Sequence, residues 1–213
     1  MIDYIVPSIP PENFKEDINW NQYSSSLLIE TMRDKNIFTS TSVLIRRNVL
    51  LTAAHSVENI DKGYVHLAST YSNQNIRIPF KKIIIHKDYN KNSSNFKHDL
   101  ALIILENNLP KSFKPAKLAN SVLTNNTVDR IGFGGRNGIN SRTWTNPKIT
   151  NIIDRTLVLE DTCSVIGDSG GPLFTKNGVI GIHSTLEGKN KTFAVFLPAY
   201  HRWIEENLPL KKI

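Results

Sequence analysis

"VIGDSGGPLF" (residues 165–174) sets an Asp-Ser pair directly before two glycines and a proline, in the middle of apolar sequence. A Gly-Gly-Pro run suits neither a helix nor the interior of a strand, so this stretch takes a tight, unusual backbone path. The apolar segments around it are short. "TVDRIGF" (127–133), "ITNIIDRTLVLE" (149–160), "GPLFT" (171–175), "GVIGIHST" (178–185) and "TFAVFL" (192–197) read as strands. An earlier set reads the same way: "SLLIET" (26–31), "IFTSTSVLI" (37–45), "VLLTAA" (49–54), "GYVHLAS" (63–69), "IRIPFKKIII" (76–85) and "DLALIIL" (99–105). Turn residues, as in "NNLP", "KNG" and "EGKNK", separate them. Many short strands with such turns predict an all-β sandwich or barrel. The stretch 106–121 lacks periodicity and reads as a connection between two halves. Only the end departs. In "PAYHRWIEENL", Tyr200, Trp203, Ile204 and Leu208 recur at helical spacing behind Pro198, which predicts a C-terminal helix.

The 213 residues suffice for one large domain or two small packed units. A 39% hydrophobic and 21% charged composition is ordinary for a globular chain. No apolar run approaches the roughly 18 residues that cross a bilayer. The start, "MIDYIVPSIPPENF", lacks the basic-then-apolar pattern of a secretory leader. The compartment stays open: cytoplasmic if Met1 is native, secreted if a leader was removed. The lone Cys163 excludes an internal disulfide. The net charge is +7, yet the basic residues are scattered (Arg46-Arg47, Lys81-Lys82, Lys211-Lys212). They lack the compact stripe with interleaved aromatics of a nucleic-acid surface. The expectation is a monomer with neither a nucleic-acid nor a membrane partner.

A serine hydroxyl is a weak nucleophile, and needs a base for its proton and donors for the oxyanion that forms. In "GDSGGP", Gly167 lets the backbone aim its own N–H and that of Ser169 at one point, while Gly170 and Gly171 keep the far side of the turn clear. "LTAAHS" supplies a base, His55, at the end of an apolar strand. "HDLALIIL" supplies Asp99 at the head of another. A buried carboxylate needs a partner, and the His55 imidazole is the natural one. Singly, each has a plainer reading: a core histidine, a cap aspartate, a glycine turn. A given six-letter string arises by chance in such a chain on the order of once in a few hundred thousand, so jointly the plainer readings fail. Cys163 stands outside the turn, without an adjacent base to make it the nucleophile. His66, His86, His98, His183 and His201 show no metal-ligand spacing, and His98 reads as a strand-entry residue. No metal or cofactor is expected.

With these residues the sequence resembles the chymotrypsin-like (trypsin-like) serine peptidases from about residue 24 to 208, in the chain order His-Asp-Ser. "FTSTSVLI", "IGFGG" (131–135), "GIHS" and "YHRWI" are similar to family segments. The resemblance implies two packed antiparallel six-stranded β-barrels with a C-terminal α-helix. Residues 1–18 would form an N-terminal arm and candidate pro-segment, 19–110 the first barrel, and 111–213 the second barrel with the helix. It implies a serine endopeptidase acting on polypeptides through an acyl-enzyme. His55 would be general base and acid, Asp99 its orienting partner and Ser169 the nucleophile. The N–H groups of Gly167 and Ser169 would form the oxyanion hole, and Ser184 would support Asp99 and the substrate backbone. Thr39, Ser56 and Val165 stand where many animal members carry disulfide cysteines. That pattern is more like the bacterial branch that includes the glutamyl endopeptidases.

The same resemblance outlines a substrate pocket. Cys163 occupies its floor, where trypsin-like enzymes have an aspartate, so a preference for Arg or Lys lacks a charge partner unless Asp161 substitutes. His183 and Ser164 match the imidazole and hydroxyl with which glutamyl endopeptidases bind a carboxylate. Leu186 and Phe193 stand where glycines would keep the pocket open, which favours a small aliphatic residue. Cleavage is therefore expected after Glu, Asp or a small aliphatic residue. Asp168 also needs a partner, in the family a new N-terminal ammonium. Ile5 and Ile18 are the candidate ends, which would make the chain a zymogen. Two other readings stand beside this one. One is a catalytically silent binding protein on the same fold. The other is an esterase-like hydrolase, whose elbow serine comes first in the chain order, unlike here.

Overall fold

The computed structural model describes residues 23–92, 97–136 and 138–209, and the backbone of 14–16. Its first strands are β1 (Phe14–Glu16), β2 (Ser26–Arg33), β3 (Asn36–Arg46), β4 (Val49–Thr52), β5 (Lys62–His66), β6 (Arg77–Ile85) and β7 (Ala101–Leu105). Strands β2 to β7 close into a barrel in the order β2-β3-β4-β7-β6-β5. "DLALIIL" shows why. Ala101, Ile103 and Leu105 point into the barrel beside Leu27, Ile29 and Leu50. Leu100, Leu102 and Ile104 alternate with them and pack outward on Val179, Ile182 and Tyr200. A strand alternates faces at every residue, so a strand buried on both faces reads as an unbroken apolar run. Each such side chain contributes about 1.5–3 kcal/mol by leaving water. The outward set joins the barrel to the second half.

That half contains β8 (Asp129–Gly132), β9 (Gly135–Arg136), β10 (Ile139–Asn140), β11 (Thr143–Thr145), β12 (Lys148–Ile153), β13 (Thr156–Glu160), β14 (Pro172–Thr175), β15 (Gly178–Glu187), β16 (Lys191–Phe196) and the helix α1 (His201–Asn207). It is the second half of the expected two-barrel fold, open as a half-barrel sheet. Eight strands form a half-barrel sheet in the order β1-β11-β8-β14-β15-β16-β13-β12, with β9 and β10 as a separate ribbon. The Asn146-Pro147 pair interrupts the chain between β11 and β12, and proline offers no N–H to a ladder. The bridge Thr127↔Lys148 links the β8 side to β12 across the gap.

"ITNIIDRTLVLE" is also two strands, not one. Asp154 and Arg155 take φ of 42° and 70°, and this left-handed turn folds β12 back on β13. Strand β1 pairs with β11, Phe14 opposite Thr145, so residues 14–16 of the arm lie on the sheet edge. Ile5 and Ile18 fall outside the described residues. The connecting stretch 106–121 carries no strand, and Leu109 and Phe113 anchor it in the barrel core. No helix among the described residues is long and apolar enough to cross a membrane.

Candidate active site

Strands β4 and β7 are neighbours, with Thr52 opposite Ala101. The end of β4 and the head of β7 therefore meet. Beyond β4 the chain turns through Ala54–Ser56, a 3-10 turn that carries His55. His55 Nδ1 lies 2.7 Å from Asp99 Oδ2, and the His55 backbone N–H donates to Asp99 Oδ1 at 2.9 Å. Ser184 Oγ donates to the same Oδ2 at 2.5 Å. Burial pushes the Asp99 carboxyl up, but the His55 and Ser184 hydrogen bonds outweigh it and hold it below the usual range. An ionised Asp99 accepts only, so Nδ1 carries the proton and Nε2 is left as the basic atom. Burial pulls the His55 imidazole down, yet the bond and charge of Asp99 prevail and raise it above its ordinary value.

Ser184 sits at a bulge in β15, between His183 and Thr185. Its hydroxyl binds Asp99, and its carbonyl accepts Ser169 Oγ at 3.2 Å. Ser184 thus joins Ser169 to the Asp99–His55 pair. Among the described residues, no hydrogen bond runs directly between Ser169 Oγ and His55.

The Asp-Ser turn is fixed from behind. Gly135 N–H donates to Ile166 O at 3.1 Å, and Gly171 N–H donates to Asp168 O at 3.0 Å. In a planar trans peptide the N–H points opposite the C=O. The N–H groups of Gly167 and Ser169 therefore face away from those bonds, and neither has a backbone acceptor among the described residues. Gly167 holds this path at φ +100°, with Gly134 Cα only 2.9 Å from where a Cβ would sit. Thr41 Oγ1 donates to Gly167 O at 2.8 Å and accepts from Phe133 N–H at 2.9 Å.

The Asp168 side chain is fully buried. Its carboxylate accepts from Arg130 Nη1 at 2.7 Å, Arg136 Nη2 at 2.6 Å, Gly134 N–H at 2.9 Å and Val165 N–H at 3.1 Å. Burial would raise its carboxyl, but the Arg130 and Arg136 charges hold it far below the usual range. Arg130 also binds Asp161 through Nε at 2.8 Å and Nη2 at 3.2 Å. Asp161, a candidate cation reader by sequence, is thus already committed to an internal arginine.

Cys163 and Ser164 are buried, and Ser164 Oγ lies 2.9 Å from His183 Nε2. His183 Nδ1 is buried with no hydrogen-bond partner among the described residues. Burial, then the Arg130 charge, pushes the His183 imidazole down to about 4. Leu186 and Phe193 lie on adjacent strands and are half-buried, with Thr185 opposite Phe193 and Leu186 opposite Thr192.

A family model described as Trypsin matches residues 16–204. The chain belongs to the trypsin family. Several solved structures share its fold. HL collagenase is 21% identical at a TM-score of 0.81, covering 92% of this chain and 97% of its own. A scabies mite inactivated protease paralogue is 15% identical at 0.78, covering 90% and 96%. Neuropsin, a serine protease of mouse brain, is 22% identical at 0.74, covering 91% and 98%. A search of curated proteins gives no match.

For a trypsin-family chain, the feature that sequence reasoning missed is the arginine pair. A signal was present. In "DRIGF", Arg130 occupies a position whose neighbours pack inward, and a charge there demands a buried partner. Nothing in the sequence said which aspartate it would meet.

Proposed function

We propose that this protein is a serine endopeptidase. Ser169 Oγ attacks the scissile carbonyl and its proton passes to His55 Nε2. Asp99 stabilises the imidazolium, and the Gly167 and Ser169 N–H groups receive the oxyanion. The tetrahedral adduct then expels the amine, which takes the proton from His55, and water hydrolyses the acyl ester on Ser169 by the same route. One observation carries this reading. The hydrogen-bonded series His55–Asp99–Ser184–Ser169 ends at a turn whose Gly167 and Ser169 N–H groups have no backbone acceptor among the described residues.

Cleavage after Glu, Asp or a small aliphatic residue is part of the proposal. Asp161 is held by Arg130 and Cys163 carries no charge, so a substrate cation finds no free carboxylate at the pocket floor. The Ser164–His183 pair offers a neutral hydroxyl and imidazole to a substrate carboxylate, and Leu186 and Phe193 reduce the room for anything large. We also propose, in place of the zymogen expectation, that no new N-terminus is needed. Asp168 already has two guanidinium partners.

The reading as a silent binding protein has one structural support: the Ser169 hydroxyl points at the Ser184 carbonyl. A biotinylated phosphonate ester, incubated with full-length chain shown uncut by mass spectrometry, separates the readings. Covalent labelling of Ser169, with turnover of peptides differing only before the cleaved bond, is the result expected. An unlabelled serine in a folded, intact chain would transfer the case to the binding protein.

A further inference from the structure

Three side chains on the far side of Asp99 converge without a task in peptide hydrolysis. His86 follows β6 and His98 precedes β7, and these strands are paired, with Ile85 opposite Ala101. The ladder continues one step as His86 N–H donates to Leu100 O at 3.0 Å. His86 and His98 are thus brought face to face, their ring centroids 4.7 Å apart and their planes 17° from parallel. Asp88, two residues past His86, turns back so that its Oδ2 lies 4.0 Å from His86 Nδ1. One ligand atom from each of His86, Asp88 and His98 lies within 4.8 Å of the others.

We propose that His86, Asp88 and His98 form a binding site for a divalent first-row transition ion, zinc foremost. Two imidazoles and one carboxylate are the donor set such ions take, whereas calcium and magnesium prefer oxygen alone. Zinc bonds of about 2.0–2.1 Å in a tetrahedron put ligand atoms roughly 3.4 Å apart. Atoms that stand within 4.8 Å of one another must therefore draw together by up to about 1.4 Å. Asp88 can close on the imidazoles: its side chain is 52% exposed, and its charged neighbour Lys87 is 84% exposed at 3.9 Å, a weak tie.

The imidazoles are held in place by their surroundings. His86 packs against Trp203 and edge-on against Tyr200, at centroid distances of 4.9 and 5.3 Å. Tyr200 Oη accepts from the His98 backbone N–H at 3.2 Å and sits 3.1 Å from His98 Nδ1. That contact leaves Nε2 as the ligating atom of His98. A histidine whose other nitrogen is hydrogen-bonded to an oriented group is the usual arrangement behind a metal. The ion would tie the end of β6 to the residue next to Asp99, and the open position would hold water.

Isothermal titration of Zn²⁺ into metal-free full-length protein tests this, with thermal melts in parallel. One ion per chain is expected, with a higher Tm because the ion binds the folded state. His98→Asn keeps a residue that tolerates the positive φ of 62° at this position, and His86→Phe keeps the aromatic packing. Each should fold, weaken zinc binding about 100-fold or more, and lose the zinc-induced rise in Tm. His201→Ala should bind as the parent does. Unchanged binding in folded His86→Phe and His98→Asn would overturn the site, as would binding that disappears only when His55 is replaced. Calcium producing the same rise in Tm would overturn the assignment to imidazole ligands.

Discussion

Ser169 and His55 carry the sharpest expectations at the scale of single residues. Ser169→Ala should lower kcat by about 10⁶ on any peptide the parent cleaves, because removing the nucleophile of such a unit removes nearly all its catalysis. Steady-state rates on purified variant check this. His55 works as a base only when neutral. Asp99 raises its pKa above the ordinary imidazole value of 6.5, so kcat/KM should fall as pH drops through a limb lying above that value. Asp99→Asn should move the limb to lower pH and cut kcat by about 10⁴. In the proposed pocket, Ser164→Ala removes a hydroxyl from His183 Nε2 and from a substrate carboxylate. It should cost roughly 10–100-fold on a Glu substrate and little on an Ala substrate, since a hydrogen bond to a charged group is worth about 1.5–3 kcal/mol. His55, Asp99 and Ser169 were legible because each sits at the border of an unmistakable apolar run. The Arg130–Asp168 pairing was not, since no motif ties Arg130 to Asp168 and it binds Asp161 as well.

At the scale of elements, the turn that bears Ser169 is built on glycine for lack of space. A Cβ on Gly170 would lie 2.1 Å from both Thr41 O and Thr52 Oγ1, at φ +83°. Gly170→Ala should therefore cost about 3 kcal/mol or more, a drop of roughly 6–12 °C in Tm by calorimetry for a chain of this size. It should also displace β3 and β4, the latter leading into the turn that holds His55, so activity should fall with stability. Strand β7 was legible as an unbroken apolar run, and the terminal helix by its helical spacing. The β12–β13 hairpin was not. Its turn uses Asp154 and Arg155 with positive φ, where sequence leads one to look for Asn-Gly. The split of the second half at Pro147 was equally hidden, since proline marks an interruption without saying what lies on either side.

Across the whole molecule, one buried ionic network ties the nucleophile turn to the second sheet. Arg130→Met would leave Asp161 without its guanidinium and Asp168 with Arg136 alone. Removing one partner from a buried pair costs about 3–5 kcal/mol, so Tm should fall by roughly 10 °C. The pH dependence follows from Asp168. Its folded pKa is depressed, so its stabilising share is complete above about pH 4, where an unfolded aspartate is ionised. That share is lost as pH falls through the lower folded value. The gap in stability between parent and Arg130→Met should therefore be widest near neutrality and narrow below pH 4, as denaturant melts across pH will show.

The sequence by itself determined the class of fold, the strand-rich halves and the three residues proposed for acyl transfer. Those follow from local pattern: apolar alternation, and a six-residue string with a steric purpose. The tertiary structure alone decided what Asp168 pairs with, which way the Gly167 and Ser169 N–H groups point, and that His86 meets His98. These depend on side chains distant in sequence that strand pairing makes adjacent. Local propensity is blind to such contacts, because they are chosen by burial: a charge or a lone pair enclosed away from water must find a partner, wherever in the chain that partner lies.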